Sequence, residues 1–461
     1  MRDPVYKRCL CREDGRELGA SCPRLKRKDG SWNPKHGSWY FSLELPKGAG
    51  GTRRRRLRRG GYDSREDAFA ALDEARRQLE HGADPSVRIT VGEYLESWIR
   101  RRVDLKPTTA RNYGLVVSTY LLPLLGHLEL ARLQTGDVAD MFGVIRGWND
   151  QLAAGERVRK YQRHVGPAAM QRIRATLRVA LADAVDEGLI SFNPAVRVRM
   201  ERETARKPVI WTAERASVFW AVYQQAVEAE PMGRGDRAFR VWSRMDLRPA
   251  PVMVWTPADM GRFLDHAGGH RLATLFELVA ATGMRRGEAC GLRWEDVDLD
   301  NGMLSIGRAR VQVGWQVVDQ DPKSEASKRE VAIAGHAVTA LRAWRKQQLA
   351  DRLAWGSDYT ETGLVFTRED GKPWHPDAVT EAFERLAFGA GLPPVKLHGL
   401  RHGWATYAVA QGVDIKLVQA GLGHSTSRLT RDTYTGVLSD QAREAAEKVA
   451  QIIPRRGRDH G

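Results

Sequence analysis

The side chains best suited to chemistry lie in the last third of this 461-residue chain, in four short clusters. They are Thr282-Gly-Met-Arg285-Arg-Gly-Glu288; Pro322-Lys323-Ser followed by Ser327-Lys-Arg329; His398-Gly-Leu-Arg401-His402; and Leu422-Gly-His424-Ser, with Tyr434 ten residues beyond His424. This set suits attack on a phosphodiester without a metal ion. Such an attack builds negative charge on the non-bridging oxygens, and two arginines, Arg285 and Arg401, can clamp that charge with planar forks that stay protonated. The leaving 5′ oxygen needs a proton, which Lys323 on a mobile hairpin can supply. Tyr434 offers a hydroxyl whose free pKa of about 10 calls for activation by nearby cations and a histidine. His398 and His424 can orient the phosphate or move protons.

Each cluster also has an ordinary reading. Arg285 can pair with Glu288 three residues on, along a helix. Lys323 lies in a polar turn where lysines are common. His398 and His402 stand at i and i+4, a spacing that also resembles a metal-ligand pair, but the His-Glu-x-x-His pattern is missing and no third ligand is evident. The argument rests on the order and combination of the clusters.

The elements that must position these groups form a mainly α, multi-domain chain with small β elements. Residues 1–82 read as an α+β unit. A strand is expected within His36–Leu45 from its aromatic content and alternation, and a helix from Ser64 to about Leu79. Between them runs a basic stretch with Arg53, Arg54, Arg55 and Arg56, which a strand pair backed by a helix can present to a DNA groove. Residues 89–200 read as helical, with a capping box at Thr90–Glu93 and a helix start near Lys106, Thr108, Thr109 and Arg111, side chains suited to phosphate contact. For any one of these four, a solvated helix terminus is an equal alternative. Residues 201–250 read as a linker or insertion of unknown purpose, in which Pro208-Val-Ile-Trp-Thr212 is echoed by Pro251-Val-Met-Val-Trp-Thr256. Residues 251–461 form the last domain, mostly helical, with strands near 303–318 and 329–333. An amphipathic helix is expected over Ser439–Ile453.

The net charge of +16 favours a polyanionic partner, and residues 1–60 carry most of it, with 17 Lys/Arg against 6 Asp/Glu. Trp32, Trp39, Tyr40 and Phe41 in the same stretch speak against a merely solvated tail. No run of about 18 apolar residues appears, and the first residues lack an apolar signal core, so a cytoplasmic protein without membrane contact is expected. No disulfide is expected among Cys9, Cys11, Cys22 and Cys290. Cys9, Cys11 and Cys22, with His36 as a fourth ligand, could make a small zinc site, but the Cys-x-Cys spacing is not that of a standard finger. No metal ligand is therefore assigned.

Taken together, the four clusters and Tyr434 resemble the tyrosine recombinase family, in particular integrases of phages and integrative elements. The match is close over residues 255–440. The resemblance implies that Arg285, Arg401, His398 and His424 bind and activate the scissile phosphate, and that Lys323 is the general acid. Tyr434 would form a 3′-phosphotyrosyl bond that leaves a free 5′-hydroxyl, with Glu288 and His402 as supports. It implies no cofactor, neither ATP nor a divalent metal. It also implies an arm-binding domain over residues 1–82, a core-binding domain over 89–200, a catalytic domain over 251–461, and a homotetramer on double-stranded attachment sites. The expected activity is integration, and excision, of a mobile element, with an excision (directionality) factor as a further partner. Three rivals stand beside it: a topoisomerase-like nickase, a non-catalytic DNA-binding regulator on the same fold, and a metal-dependent nuclease. The first lacks partner-strand exchange, the second does not need competent residues at all six positions, and no carboxylate cluster stands out for the third.

Overall fold

Burial alternates along the N-terminal strands, and that period sets the first unit. The computed structural model describes residues 3–46, 55–80, 85, 88–156, 163–201, 207–230, 236–244, 246–314, 316–320 and 328–423. The chain divides into two units, residues 1–203 and 204–461.

In the first unit, strands β1 (Val5–Glu13), β2 (Arg16–Gly19), β3 (Ser38–Leu45) and β4 (Arg55–Tyr62) form an antiparallel sheet in the order β2-β1-β3-β4. Val5, Trp39 and Phe41 face helix α1 (Arg65–Glu80), which buries Ala68, Leu72 and Ala75 against them. Ser64 Oγ accepts from the Asp67 amide and so caps α1. The strand within His36–Leu45 and the helix after Ser64 were expected; β1 and β2 were not. Lys7 sits at an inward position of β1, only 3% exposed, and breaks the apolar pattern that would mark the strand. Its ammonium donates to Asn33 O and lies over the Trp39 ring.

A helical group follows: α2 (Val91–Arg101), α3 (Pro107–Val116), a wide turn at Val117–Leu121, α4 (Leu122–Leu125), α5 (Thr135–Ala153), α6 (Pro167–Asp186) and α7 (Pro194–Arg197). The Thr90–Glu93 capping box is formed. Tyr94, Leu95 and Trp98 pack with Phe142, Leu177 and Leu181 in one core. Two polar atoms carried into that core find partners, Tyr94 Oη on Ala180 O at 2.8 Å and Trp98 Nε1 on Asp183 at 2.6 Å.

In the second unit, β5 (Val209–Ile210), α8 (Ala213–Ala229), α9 (Arg237–Trp242), β6 (Met253–Val254), α10 (Pro257–Ala267), α11 (Ala273–Thr282) and α12 (Arg286–Gly291) come first. Strands β7 (Val297–Asp298), β8 (Met303–Ile306), β9 (Ala309–Val313), β10 (Gln316–Gln320) and β11 (Arg329–Ala332) follow. Helices α13 (Gly335–Trp355), α14 (Pro376–Gly389), α15 (His398–Ala410) and α16 (Ile415–Leu422) complete it. Strands β11, β8 and β7 form one small sheet, while β9 and β10 form a hairpin. Among the described residues no helix is long and apolar enough to cross a membrane.

Residues 201–250, read from the sequence as a linker or insertion, are described at 201 and over 207–230, 236–244 and 246–250. The two echoed segments lie side by side as parallel strands, with Val209 opposite Met253 and Ile210 opposite Val254. Each then places a tryptophan in the core and caps a helix with a threonine, Thr212 for α8 and Thr256 for α10. Trp211 donates to Pro394 O at 3.2 Å, Trp255 to Pro393 O at 2.8 Å and Trp242 to Leu392 O at 2.8 Å. Buried carbonyls need donors, and three indoles supply them to the segment that leads into α15.

Candidate active site

The geometry of the site follows from how two helices end. Helix α11 stops at Gly283 (φ +65°) and α16 at Gly423 (φ +61°), both left-handed, a conformation that favours glycine. At Gly283 a β-carbon would also come within 2.9 Å of the Trp404 ring, and at Gly421 within 2.8 Å of the same ring. The last carbonyls of a helix lack intrahelical partners and lie at the negative end of its dipole, so they attract cations.

Arginines take these carbonyls. Arg401, on the buried side of α15, donates to Gly283 O at 2.8 Å and to Leu422 O at 2.5 Å, joining both helix ends. Arg285 lies just before α12 and reaches Gly423 O at 3.4 Å. Arg329, at the start of β11, donates through Nε to Gly421 O at 2.7 Å. Three guanidinium groups from distant stretches of chain thus meet three successive carbonyls, 421 to 423.

Glu288 balances two of them. It accepts from Arg285 Nη1 at 2.7 Å, from the Arg285 amide at 2.7 Å, and from Arg329 at 2.8 and 3.2 Å. Burial pushes its carboxyl pKa up, but the hydrogen bonds and charges of Arg329 and Arg285 outweigh this and hold it below the usual carboxylate range. The ordinary i, i+3 pairing of Arg285 with Glu288 is therefore present, and Arg285 still keeps a side chain 38% exposed. A depressed carboxyl pKa stabilises the fold above the unfolded-state value, and that stability is lost as pH falls through the folded value. Glu288→Gln leaves the buried Arg329 guanidinium, 6% exposed, without its carboxylate. We expect a loss of about 3–5 kcal/mol, read as a lower urea midpoint at unchanged m-value. The acid-side fall in stability should shrink in the same variant.

His398 opens α15, exposed, one turn before Arg401. Its ring meets that of His402 edge to face at 4.9 Å. Burial, and then the neighbouring Arg401 charge, push the His402 pKa down to about 4. His402 is therefore neutral at pH 7 and adds no positive charge beside Arg401.

Arg286 is turned away from this cluster, donating to Asp377 at 3.1 Å and Thr380 at 2.7 Å, so it ties α12 to α14. Gly287 and Gly291 let α12 lie on β9, where a β-carbon would approach the Arg310 backbone to 2.8 and 2.9 Å. The strands expected near 303–318 and 329–333 are present as β8 to β11.

Of the sequence-predicted residues, Arg285 and Arg401 are brought together, and His398 lies one turn from Arg401. Lys323, His424 and Tyr434 lie outside the described residues, as do Arg53, Arg54 and the helix expected over 439–453. Lys323 belongs to the segment between β10 and β11. Arg329, the last residue of the Ser327-Lys-Arg329 stretch, carries no predicted role in the sequence but meets Glu288 and Gly421 in the structure. Its signal was only a basic residue at the start of a strand, and its partners are 41 and 92 residues away.

In the first unit, Lys106, Thr108, Thr109 and Arg111 lie at the start of α3, with Arg111 exposed. Arg55 and Arg56 open β4 and are exposed. Arg56 pairs across the sheet with Glu44 at 2.8 Å. By strand alternation Arg56 and Arg58 lie on the face away from α1, as do Ser42 and Tyr40 of β3.

Residues 256–440 match the family model described as the phage integrase family. The chain is 24% identical to a tyrosine recombinase XerC-like protein of Caldanaerobacter subterraneus subsp. tengcongensis, over 85% of this chain and 90% of the relative. It is 25% identical to the integrase of Mycobacterium phage L5, over 86% of this chain and 87% of the relative. Among solved structures, the Tn1549 transposon integrase in complex with transposon right end DNA is similar in fold. Its TM-score is 0.55 at 17% identity, and the match covers 78% of this chain and 100% of that one.

Proposed function

Starting from a chain that is a tyrosine recombinase of the phage and mobile-element integrase type, we propose how its residues divide the reaction. The enzyme is a site-specific DNA recombinase. The observation that carries the assignment of roles is the meeting of Arg285, Arg401 and Arg329 at carbonyls 421–423, directly before His424 in sequence. Arg285, Arg401, His398 and His424 hold the scissile phosphate. The Tyr434 phenolate oxygen attacks phosphorus, the bond to the 5′ oxygen breaks, and Lys323 gives that oxygen its proton. A histidine accepts the phenol proton. The 3′-phosphotyrosyl bond keeps the energy of the broken linkage, so a 5′-hydroxyl of a partner strand can reverse the step without ATP. Glu288 orients Arg285 and Arg329, and His402 supports α15.

Residues 1–82 grip arm-type sites through the arginine-bearing face of β4, and residues 89–200 contact core DNA through the start of α3. Residues 251–461 carry the chemistry, supported by residues 209–250. A homotetramer assembles on two attachment sites in the cytoplasm, and an excision factor sets direction. Deleting residues 1–82 should abolish binding to arm-type DNA and spare covalent cleavage of core-site DNA, measured with DNA flanking the protein's own gene. Binding should weaken steeply with salt, as expected for phosphate-dominated contact. Core cleavage lost together with arm binding would contradict this division of labour.

A further inference from the structure

We propose that Cys9, Cys11, Cys22 and His36 form a zinc site in the N-terminal unit. Their ligand atoms all lie within 4.8 Å of one another. His36 Nε2 is 3.4 Å from Cys11 Sγ and 3.6 Å from Cys22 Sγ. In a tetrahedral site with Zn–S of roughly 2.3 Å and Zn–N of roughly 2.0 Å, the edge from sulfur to nitrogen is roughly 3.5 Å. The two sulfur–nitrogen distances therefore match that edge. Three thiols and an imidazole are a soft donor set, which selects zinc over magnesium or calcium.

The fold explains why the spacing did not look like a finger. Cys9 and Cys11 are two apart on β1, so strand period turns both to one side. Cys22 stands just before the short turn Pro23–Leu25, and His36 just before β3. After His36 the chain turns sharply at Gly37 (φ +71°), where a β-carbon would come within 2.6 Å of Arg8 O. The ligands thus come from three backbone segments, assembled by sheet register and not by a local loop.

These segments need a staple. Cys9, Cys22 and Leu25, with Cys11 and Leu18 beside them, form an apolar cluster separate from the one under α1. So small a cluster cannot hold a hairpin and a turn in place by burial alone, and metal binding commonly supplies that stability in small units. All four cysteines of the chain are free, so no disulfide does the work.

The test uses the full-length chain, purified under reducing conditions with zinc present and then dialysed. Metal analysis should give about one zinc per chain, the stoichiometry of a closed four-ligand structural site. Cobalt(II) exchanged for zinc should give the strong visible bands of a tetrahedral site and a sulfur-to-metal charge-transfer band. Cys9→Ser and Cys22→Ser should lose the metal, whereas Cys290→Ser, altered at a buried thiol in the other unit, should keep it. His36→Cys should also keep it, with a stronger charge-transfer band. A wild-type chain without bound zinc would overturn the proposal. So would an octahedral cobalt spectrum, full zinc content in both serine variants, or a disulfide between two of the three thiols. The wild-type cobalt spectrum decides even if the serine variants do not fold. Any effect on arm-type DNA rests on the proposed role of residues 1–82; the zinc count does not, so the two readings fail separately.

Discussion

Tyr434→Phe should bind core-site DNA as the unaltered protein does and yield no covalent product. Phenylalanine keeps the ring and its packing but removes the only oxygen that the proposed attack uses. On a nicked trapping substrate, where the released strand diffuses away and the adduct accumulates, the unaltered enzyme should give a slow-migrating protein–DNA band under denaturing conditions. The variant should give none, with its binding constant within about twofold at equal salt, since salt alone moves such constants widely. Adduct in the variant would remove Tyr434 from its role and leave the rest of the cluster without a nucleophile.

The second large effect concerns the arginines. Removing one donor aimed at developing charge typically costs roughly 10²–10³ in rate, so Arg285→Ala and Arg401→Ala should each slow cleavage by at least that. The two differ in what else they do. Arg285 is half-exposed and its nearest partner is Glu288, so its loss should leave the fold largely intact. Arg401 is 3% exposed and joins the ends of α11 and α16, so its removal orphans two helix-end carbonyls and lowers stability as well. Rates must therefore be compared on protein shown to be folded by circular dichroism. Arg401→Lys keeps the charge but cannot reproduce the two-pronged contact and should remain impaired. A neutral methylphosphonate at the scissile position separates catalysis from structure. With less charge to stabilise, the Arg285→Ala defect should shrink on that substrate. An equal defect on phosphate and methylphosphonate would mean that Arg285 acts through the fold and not on the phosphate.

Among the described residues, the parts of the candidate site that a sequence makes legible are those whose motifs are local. Thr282 to Glu288 spans the end of one helix and the start of the next, and His398 to Arg401 is a single helical turn. The capping box at Thr90–Glu93 was readable for the same reason. What could not be read depends on contacts distant in sequence. Arg329 gains its meaning from Glu288 and Gly421. The echo between residues 208–212 and 251–256 was visible, but not that the two copies pair as parallel strands, nor that their indoles hold Pro394 and Pro393. Strand β1 was hidden because the inward position of Lys7 carries a charge, tolerated there through Asn33 and Trp39. The four residues of the proposed zinc site are nameable from the sequence, but their spacing argues against a standard finger, because side chains gathered by strand register leave no finger spacing.

The central claim is that one phenol attacks one phosphorus held by cations and not by a metal. The most direct measurement traps the covalent complex on a nicked core site in excess EDTA, digests the protein, and identifies the peptide that carries the nucleotide. The account predicts adduct formation undiminished by EDTA, a phosphodiester from Tyr434 to a 3′ end, and a free 5′-hydroxyl on the released strand. Attachment to a different residue, linkage to a 5′ end, or loss of the adduct on chelation would contradict it.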